Sequence, residues 1–531
     1  MFNRSFTRAA ALAVALALPM TAPAATLNYA GTTPALTFDP HATNDFVTAA
    51  LARQTYETLV ELGPGMELKP GLATAWEYMG DATWRLTIRE GVTFHDGTPM
   101  MAEDVAFSIM RQATSKLYSS MFGRVTDAVV VDATTVDMIT ETPDAVMPAK
   151  LTRLFVMSEA WAAENGVTEI PQLGSETAEA YSLRHANGTG PMMLEEQVPG
   201  ETTTFVKNEN WWGEFTGNVD RAVYTAIGSD PTRLAALLSG EVDLITNLPL
   251  QDIERVTGAE GFKIEETPQR LFMELEMDGT RDVALATFDK DGNPLDANPF
   301  KDVRVRKAIR MAIDQNAIIE RIMRGHASAV SLPGAPGFYG YTPEMEQPVT
   351  VDVEGAKELL AEAGYPDGFR TTLNCPLERY VNAEEICRAS AQLLARIGID
   401  VTVNGMVWPE FARMLVNGPD SSFHLIGAAG NSGDLQDTLI AIAYTRGDGM
   451  GANNWALFSS PELDAVVDEL SVTFDEDRRA ELYAEAIKLT QDEVHAVYLH
   501  QPAITWAMKD NIDIYVRADT AVQLSDVTID E

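Results

Sequence analysis

The chain has 531 residues, of which 46% are hydrophobic and 22% are charged. A chain of this length and hydrophobic content can bury large cores and favours about two to four domains. It is therefore expected to be globular, and a disordered chain is excluded. The formal charge of −39 repels nucleic-acid phosphates and anionic lipid headgroups, and no Lys/Arg-rich run offers a local exception, so nucleic-acid binding is excluded.

The amino terminus has the three parts of a secretory signal peptide. Arg4 and Arg8 supply a positive region, residues 9–18 are apolar, and residues 22–24 form a small-residue cleavage site. No later segment approaches ~20 uninterrupted apolar residues, and no cysteine at the cleavage site offers a lipid attachment point. We therefore expect removal of residues 1–24 and a soluble, unanchored protein exported to the periplasm.

The first predicted elements are a strand and a helix, which is an α/β opening. The strand is TLNYAG. The segment FVTAALARQTYETLVEL has helical spacing, with apolar side chains at Val47, Leu51, Tyr56, Leu59 and Val60. We expect one helix over this segment.

The next segments have strand patterns. ATWRLTIREGVTF alternates, with Trp84, Leu86 and Ile88 on one face, which is typical of a half-buried strand. VVVDATTVDMIT holds two runs of strand-forming residues around the turn at residues 132–135, which predicts a hairpin.

Helices alternate with strands in the second half of the chain. DVRVRKAIRMAI and VEGAKELLAEAG have helical spacing, and the second is expected to end at Gly364. EEICRASAQLLARIG predicts a further helix, followed by the strand IDVTV. The two cysteines, Cys375 and Cys387, either form a disulfide or stay as buried thiols; an oxidising compartment favours the disulfide.

The segment FHDGTP places His95 beside Asp96 at a predicted turn between a strand and a helix. A catalytic dyad also requires a nucleophile or a metal. The sequence has neither G-x-S-x-G nor H-E-x-x-H, and its seven histidines are scattered singly. A structural turn is favoured, and we predict no enzyme activity, no catalytic residue, no metal site and no cofactor.

The segment LKPGLATAWEYMGDATWRLTIREGVTFHDGTPMMAEDVAFSIMR resembles the family 5 extracytoplasmic solute-binding proteins, the oligopeptide-, dipeptide- and nickel-binding receptors of ABC importers. Four further stretches extend the resemblance in the family's order over nearly the whole mature chain: GTGPMMLEEQVPGETTTFVKNENWWG, DPTRLAALLSGEVDLI, FKDVRVRKAIRMAIDQNAII and AKELLAEAGYPDGF. In that family the His-Asp-Gly turn is structural, which implies the same for His95 and Asp96. Met101 departs from the family's Thr or Ser, so the following helix loses an N-cap worth ~1 kcal/mol.

The resemblance implies an α/β fold of two lobes, joined at a hinge by two extended crossovers, with an additional accessory domain (class II, cluster C type). The ligand lies between the lobes, which close over it. We expect a discontinuous first lobe of residues 25–56, 185–272 and 502–531. The accessory domain is expected at residues 57–184 and the second lobe at residues 273–501.

Two positions correspond to the family's peptide-binding charges. The arginine that meets a peptide carboxylate corresponds to Arg379, and a planar guanidinium suits bidentate capture; a surface arginine is the open alternative. The amine-binding aspartate aligns with Asn431, which gives an ammonium no opposite charge. Asp434 either turns towards the ligand to replace that charge or caps the following helix, and the cap is favoured.

Three further residues are candidates for the ligand site. Trp408 keeps a family position and forms either an aromatic wall or a core staple. Thr32 and Thr33, in AGTTPALTFDP, offer backbone groups that suit an extended peptide; an ordinary proline-containing turn is the alternative. The family often has Gly-Trp where this chain has Gly427 and Ala428, which leaves room for a bulkier ligand.

These features predict a monomeric periplasmic receptor that captures a small peptide or peptide-like solute and delivers it to the permease subunits of an ABC transporter. Two alternatives remain. One is a receptor for a metal chelate or another non-peptide solute. The other, from a different class, is a secreted hydrolase built around His95 and Asp96 or around the loop at residues 430–434.

Overall fold

The computed structural model describes residues 25–63, 67–173, 180–377, 379–430, 432–447 and 450–530. The predicted signal peptide lies outside these ranges. Within them, no helix is both long enough and apolar enough to cross a membrane.

The helices and strands are numbered in chain order. Up to residue 164 they are β1 (Ala25–Gly31), α1 (Phe46–Ala52), β2 (Val60–Leu62), β3 (Leu68–Pro70), β4 (Ala73–Gly80), β5 (Thr83–Ile88), α2 (Ala102–Ala113), α3 (Ser119–Phe122), β6 (Val125–Asp132), β7 (Thr135–Thr140), α4 (Met147–Lys150) and α5 (Glu159–Glu164). The next group is β8 (Met192–Val198), β9 (Thr202–Lys207), β10 (Val219–Ala226), α6 (Asp230–Ser239), β11 (Leu244–Ile245), α7 (Ile253–Thr257), β12 (Phe262–Pro268), β13 (Phe272–Met277) and β14 (Thr287–Phe288).

The remaining elements complete the chain. They are α8 (Val303–Ala312), α9 (Gln315–Arg321), β15 (Ala327–Ala329), α10 (Val353–Glu362), β16 (Phe369–Leu377), α11 (Ala383–Ala395), β17 (Ile399–Val407), α12 (Trp408–Asn417), β18 (Phe423–Ala428), α13 (Leu435–Ile442), α14 (Pro461–Val472), α15 (Glu476–Asp492), β19 (Ala496–Lys509), β20 (Ile512–Asp513) and β21 (Thr528–Ile529).

One sheet runs through the molecule in the order β14-β16-β18-β13-β19-β11-β1-β10-β9-β8, with β12 and β15 paired to β19 and β17 paired to β16. We call the part built on β1 and β8–β12 the first lobe and the part built on β13–β18 the second lobe. The long strand β19 belongs to both. Its residues up to Pro502 pair with β13 and β15, and from Ala503 onward they pair with β12 and β11.

The chain crosses between the lobes at two adjacent places. One is β19, and the other is the short link between β12 and β13. The Gln269 N–H donates to the Pro502 carbonyl at 2.8 Å, so the two crossovers lie side by side. The partner change in β19 is compatible with the predicted boundaries at residues 272 and 502, but the division into domains stays a prediction.

The parallel strands of the two lobes have carboxyl ends that face one another. Strands β16, β17 and β18 are parallel, and β13 is antiparallel to both β18 and β19. Strands β16, β17 and β18 therefore run in the same direction as β19, towards the first lobe. Strands β1, β10 and β11 are parallel to one another and run against β19. Both sets of strands therefore end at the space beside residues 502–505, which we call the interlobe cleft.

A separate four-stranded sheet, β4-β5-β7-β6, lies within the predicted accessory domain. Trp84, Leu86 and Ile88 of β5 are buried in its core, as the alternating pattern predicted. The hairpin β6–β7 is confirmed, with Asp132 opposite Thr135. Helix α2 begins after Met101, which makes no side-chain cap, but the Asp104 carboxylate accepts the Met101 N–H at 2.8 Å.

The second-lobe helices also follow the predicted periodicity. The inward positions of α8 and α10 are buried, and α10 ends before Gly364, whose φ is +95°, as expected for a glycine C-cap. Helix α11 and strand β17 follow as predicted. Cys375 of β16 and Cys387 of α11 form a disulfide with a Cα–Cα distance of 6.4 Å.

The first predicted helix, over residues 46–62, is too long by ten residues, nearly three turns. Helix α1 ends at Ala52, and residues 60–62 form strand β2. The backbone between them pairs with distant segments, because Gly190 donates to the Thr55 carbonyl and Met192 to the Gln54 carbonyl. The run of β-branched and aromatic residues from Thr55 to Val60 favours extended backbone, and these tertiary hydrogen bonds override the apolar spacing.

Candidate functional site

The predicted ligand-binding residues lie on loops that follow strand ends facing the interlobe cleft. Thr32 and Thr33 follow β1, Arg379 follows β16, Trp408 begins α12 directly after β17, and Asp434 follows β18. Asn431 lies outside the described residues. Ligands of α/β sheets bind beyond the carboxyl ends of parallel strands, so the fold brings loops from both lobes to one place.

The loop after β1 is fixed by a tyrosine of the neighbouring strand. The Tyr224 hydroxyl donates to the Thr33 carbonyl at 2.6 Å, and a Cβ on Gly31 would lie only 2.5 Å from that hydroxyl oxygen. Glycine is therefore required at position 31 for the close approach. Thr32 is half-buried and Thr33 is exposed, so the loop presents a preorganised edge to the cleft.

Arg379 and Trp408 form a cationic and aromatic wall on the second-lobe side. The exposed Arg379 guanidinium carbon lies 4.7 Å from the centroid of the Trp408 ring. The half-buried indole stacks on Phe411 at 5.9 Å and meets Tyr380 edge-on at 6.3 Å. The indole therefore serves both as a packing group and as a surface that orients the guanidinium.

Asp434 is held by the protein interior. Its Oδ1 accepts the Gln436 N–H and the Tyr483 hydroxyl, each at 2.7 Å, and Arg479 Nη2 lies 3.8 Å from Oδ2. Burial raises the pKa of Asp434 to about 6. The N-cap role that the sequence favoured is confirmed for α13, whereas a role in ligand binding stays an untested prediction for a residue that is only 3% exposed.

His95 and Asp96 join the predicted accessory domain to the loop at residues 187–190. His95 Nε2 lies 3.0 Å from the Gly190 carbonyl oxygen, and the two Asp96 carboxylate oxygens accept from Thr98 and from the Asn187 side chain. Burial lowers the pKa of His95 to about 4, so the imidazole is neutral. The pair therefore anchors a turn, in agreement with the structural role favoured from the sequence.

Strand β13 carries two buried acids that the sequence analysis did not single out. Glu274 and Glu276 are 0% exposed, and His424 of β18 lies beside them with Nε2 2.6 Å from Glu276 Oε2. The sequence FMELEM alternates apolar and acidic residues, a pattern that predicts one solvated face. The structure instead buries every residue of the strand. The two acids are therefore revealed only by the conflict between the alternating sequence pattern and the fully buried position of the strand.

Metal-ligating side chains do not gather in the part of the chain that the structure describes. Among those residues, no group of three or more His, Cys, Asp or Glu side chains has the geometry to hold a metal ion.

Two α/β lobes, two crossovers and loops from both lobes converging on one cleft define a two-lobed solute-binding protein. The family model for bacterial extracellular solute-binding proteins, family 5, matches residues 67–450. The chain belongs to this family, as the sequence motifs implied.

Individual relatives agree with this assignment. The chain is 28% identical to heme-binding protein A of Haemophilus influenzae over 464 residues, covering 82% of this chain and 80% of the relative. It is 24% identical to the dipeptide-binding protein of Escherichia coli over 490 residues, covering 87% and 86%. The solved periplasmic binding protein DppA from Helicobacter pylori, in complex with the peptide STSA, superposes with a TM-score of 0.77 at 23% identity, covering 96% and 98%. The two-lobed fold is therefore confirmed.

Proposed function

We propose that this chain is the solute-binding component of an ABC importer, which captures a peptide or peptide-like solute between its lobes and delivers it to permease subunits. The proposal rests on one observation: the strand ends of the two lobes face each other across residues 502–505 of β19. Loops of both lobes reach the same space, and two narrow crossovers connect the lobes. A hinge motion at these crossovers would bring both sets of loops onto one guest.

A peptide suits the groups at the cleft. The exposed Arg379 guanidinium beside Trp408 fits a carboxylate, and the fixed loop at Thr32 and Thr33 offers backbone groups to an extended chain. The names of the Escherichia coli dipeptide-binding protein and of the Helicobacter pylori complex support a peptide ligand.

We further propose that the protein leaves the covalent bonds of its ligand intact and acts as a monomer in the periplasm. The anchoring contacts of His95 and Asp96 support a receptor rather than a hydrolase, because both side chains are engaged with neighbouring backbone and amide groups.

The test is to isolate the mature protein gently from periplasmic extract and to identify co-purifying molecules by mass spectrometry. Calorimetry with a panel of two- to five-residue peptides then measures affinity, and small-angle scattering measures closure. We expect at least one peptide to bind and to reduce the radius of gyration, with the peptide recovered intact. Binding of hemin or nickel–histidine in place of every peptide would move the assignment to chelates, and cleaved peptide would move it to a hydrolase.

A further inference from the structure

The strongest unexplained feature of the second lobe is the pair of carboxyl groups on β13. One oxygen of Glu276 is 2.6 Å from His424 Nε2. Glu276 Oε1 and both oxygens of Glu274 have no partner with hydrogen-bond geometry, although the Ala456 backbone N–H is close enough to the Glu276 carboxyl group to lower its pKa. Glu274 interacts with the Glu276 carboxyl group. The other ring nitrogen of His424 also has no partner. Side chains that are fully buried normally satisfy such groups, so this pair is poorly explained as a packing element.

The buried ion pair of Asp39 and Arg111 in the same molecule shows the usual structural solution. There both carboxylate oxygens accept from a guanidinium, at 2.9 Å and 2.6 Å. On β13, by contrast, burial raises the pKa of Glu274 and of Glu276, and the proximity of the two acids raises that of Glu274 further. The free protein therefore balances this charge with protons, which a cation can displace.

The acid pair lies just inside the cleft edge of the second lobe. Strand β13 starts at Phe272, opposite Ala428 at the carboxyl end of β18, and Glu274 lies opposite Ile426. Glu274 is two residues from the strand start, about 7 Å along the strand. Paired positions share a sheet face, so the Ala428 methyl group and the buried Phe272 ring lie side by side between Glu274 and the cleft on that face.

Ring contacts connect the aromatic wall at Trp408 to the acid pair. Trp408 stacks on Phe411, whose ring centroid is 6.4 Å from that of His424. The remaining charged or titratable groups around the pair are Tyr498, Tyr380, Asp278, Arg281 and Arg310.

We propose that Glu274 and Glu276 form a subsite for a cationic group of the ligand, an ammonium or a guanidinium at the end of a flexible side chain. This inference rests on the proposed peptide function and narrows it to peptides that carry such a side chain. On binding, the cation replaces one carboxyl proton, which passes to solvent, so the buried charge stays balanced. With a cationic subsite at this position, recognition of a positively charged ligand does not depend on position 431, where asparagine offers an amine no opposite charge.

The test uses the tripeptide Ala-Lys-Ala and the isosteric, uncharged Ala-norleucine-Ala as probes of the full mature protein. Titration calorimetry in phosphate and in Tris at the same pH gives both the affinity and the number of protons released. We expect the lysine peptide to bind at least about tenfold more tightly and to release about one proton, while the norleucine peptide releases none.

Variants then assign the effect to the pair. Glu274→Gln is expected to remove the preference for lysine while leaving the affinity for the norleucine peptide unchanged. Glu265→Gln is the matched control, because Glu265 lies on crossover strand β12 with a side chain that is 48% exposed, and it should keep the preference. Thermal unfolding checks that each variant folds. If Glu274→Gln does not fold, the proton count of the wild-type protein still decides the matter.

The outcomes separate the two proposals. Equal affinity for the two peptides, or no proton release with lysine, overturns the cationic subsite and leaves the peptide receptor standing. A preference that survives Glu274→Gln also overturns it. Failure of both tripeptides and of the whole two- to five-residue peptide panel removes the peptide function, and the subsite with it.

Discussion

Asp39 and Arg111 form a bidentate ion pair inside the protein, with Arg111 Nη2 2.6 Å from Asp39 Oδ2 and side-chain exposures of 2% and 0% for Arg111 and Asp39. Asp39 belongs to the loop after β1, and Arg111 belongs to helix α2, within the predicted accessory domain. Ser182 donates to the same carboxylate, and His41 Nδ1 lies 3.0 Å from Arg111 Nη1. The pair therefore joins helix α2 to the loop after β1 of the first lobe.

Replacing Arg111 by methionine is expected to lower the free energy of unfolding by about 3–5 kcal/mol, because the Asp39 carboxylate would stay buried without its partner. Burial raises the pKa of Asp39, but the hydrogen bond and charge of Arg111 outweigh it and hold that pKa below its usual value. The pair's contribution is therefore present above the pKa of an unfolded aspartate and is lost as the pH falls through the lower folded value.

Urea denaturation at neutral pH measures this effect. The matched control is Arg85→Met, which removes the partner of Asp137 from a pair in which the arginine side chain is 38% exposed. We expect the control to change stability much less, because solvent screens the exposed pair. Equal effects of the two substitutions would contradict a structural role for the buried pair.

The disulfide between Cys375 and Cys387 is expected to stabilise the second lobe. It closes a short loop, with a sequence separation of 12 residues, and disulfides of this kind contribute about 2–4 kcal/mol by restricting the unfolded chain. The double variant Cys375→Ala/Cys387→Ala should therefore unfold at lower denaturant concentration. Dithiothreitol should shift the midpoint of the wild-type protein and leave the variant unchanged; a shift in both would show an effect unrelated to the disulfide.

The elements that were predicted correctly are those whose pattern agrees with their surroundings. The burial of Trp84 on β5 and of Val305 and Ile309 on α8 followed from periodicity alone, because each element has one face on a core. The extension of α1 beyond Ala52 was wrong because hydrogen bonds to Gly190 and Met192, more than 130 residues away, decide that backbone.

The candidate site was predictable only in part. Motif resemblance placed Arg379 and Trp408 on second-lobe loops, and the structure shows the two side chains in contact. It could not show that Tyr483 and Arg479, from a helix far along the chain, hold Asp434 in the interior. Periodicity could not reveal the acids of β13 either. A strand whose sheet is covered on both faces is buried on both sides, whatever its sequence pattern.

Arg379→Ala is expected to weaken a carboxylate-bearing ligand by about 2–5 kcal/mol if closure buries the pair. Ala-Lys-Ala and its carboxyl-terminal amide make a sharp comparison, because only the free acid offers a carboxylate to the guanidinium. The variant should bind the two peptides about equally in calorimetry, whereas the wild-type protein should prefer the acid. Arg388→Ala is the control, since that side chain is 68% exposed and paired with Glu384; an acid preference that persists in Arg379→Ala would remove Arg379 from the site.

His95→Ala is expected to reduce stability and to leave ligand affinity unchanged. The substitution removes the contact between His95 Nε2 and the Gly190 carbonyl, which still accepts from the Asn208 side chain at 3.1 Å. The expected cost is therefore that of one lost hydrogen bond, about 0.5–1.5 kcal/mol. Denaturation measures the stability, and chromatography of peptides incubated with each protein measures turnover. Hydrolysis by the wild-type protein that disappears in the variant would contradict the receptor assignment.

The Glu57 carboxylate is the acceptor for two adjacent indoles. Trp211 Nε1 donates to its Oε1 at 3.0 Å and Trp212 Nε1 to its Oε2 at 2.8 Å. This arrangement explains the Trp-Trp-Gly turn at residues 211–213, which ties the end of β9 in the first lobe to residue 57, the predicted start of the accessory domain. Burial raises the pKa of Glu57 to about 8, even though the indole hydrogen bonds lower it.

Stability is therefore expected to fall as the pH rises from the ordinary glutamate value towards 8, because the folded protein keeps a proton there that the unfolded chain has lost. One such group contributes a slope of at most about 1.4 kcal/mol per pH unit. Glu57→Gln, which stays neutral and retains one acceptor oxygen, should flatten the dependence of the unfolding free energy on pH relative to wild type. Glu209→Gln, with a side chain that is 75% exposed, should leave the dependence unchanged. Glu274, Glu276 and Asp434 also have raised pKa values, so only the difference between wild type and variant is diagnostic for Glu57. Parallel curves of unfolding free energy against pH for wild type and Glu57→Gln would show that Glu57 is ionised in the folded protein, held by its two indole donors.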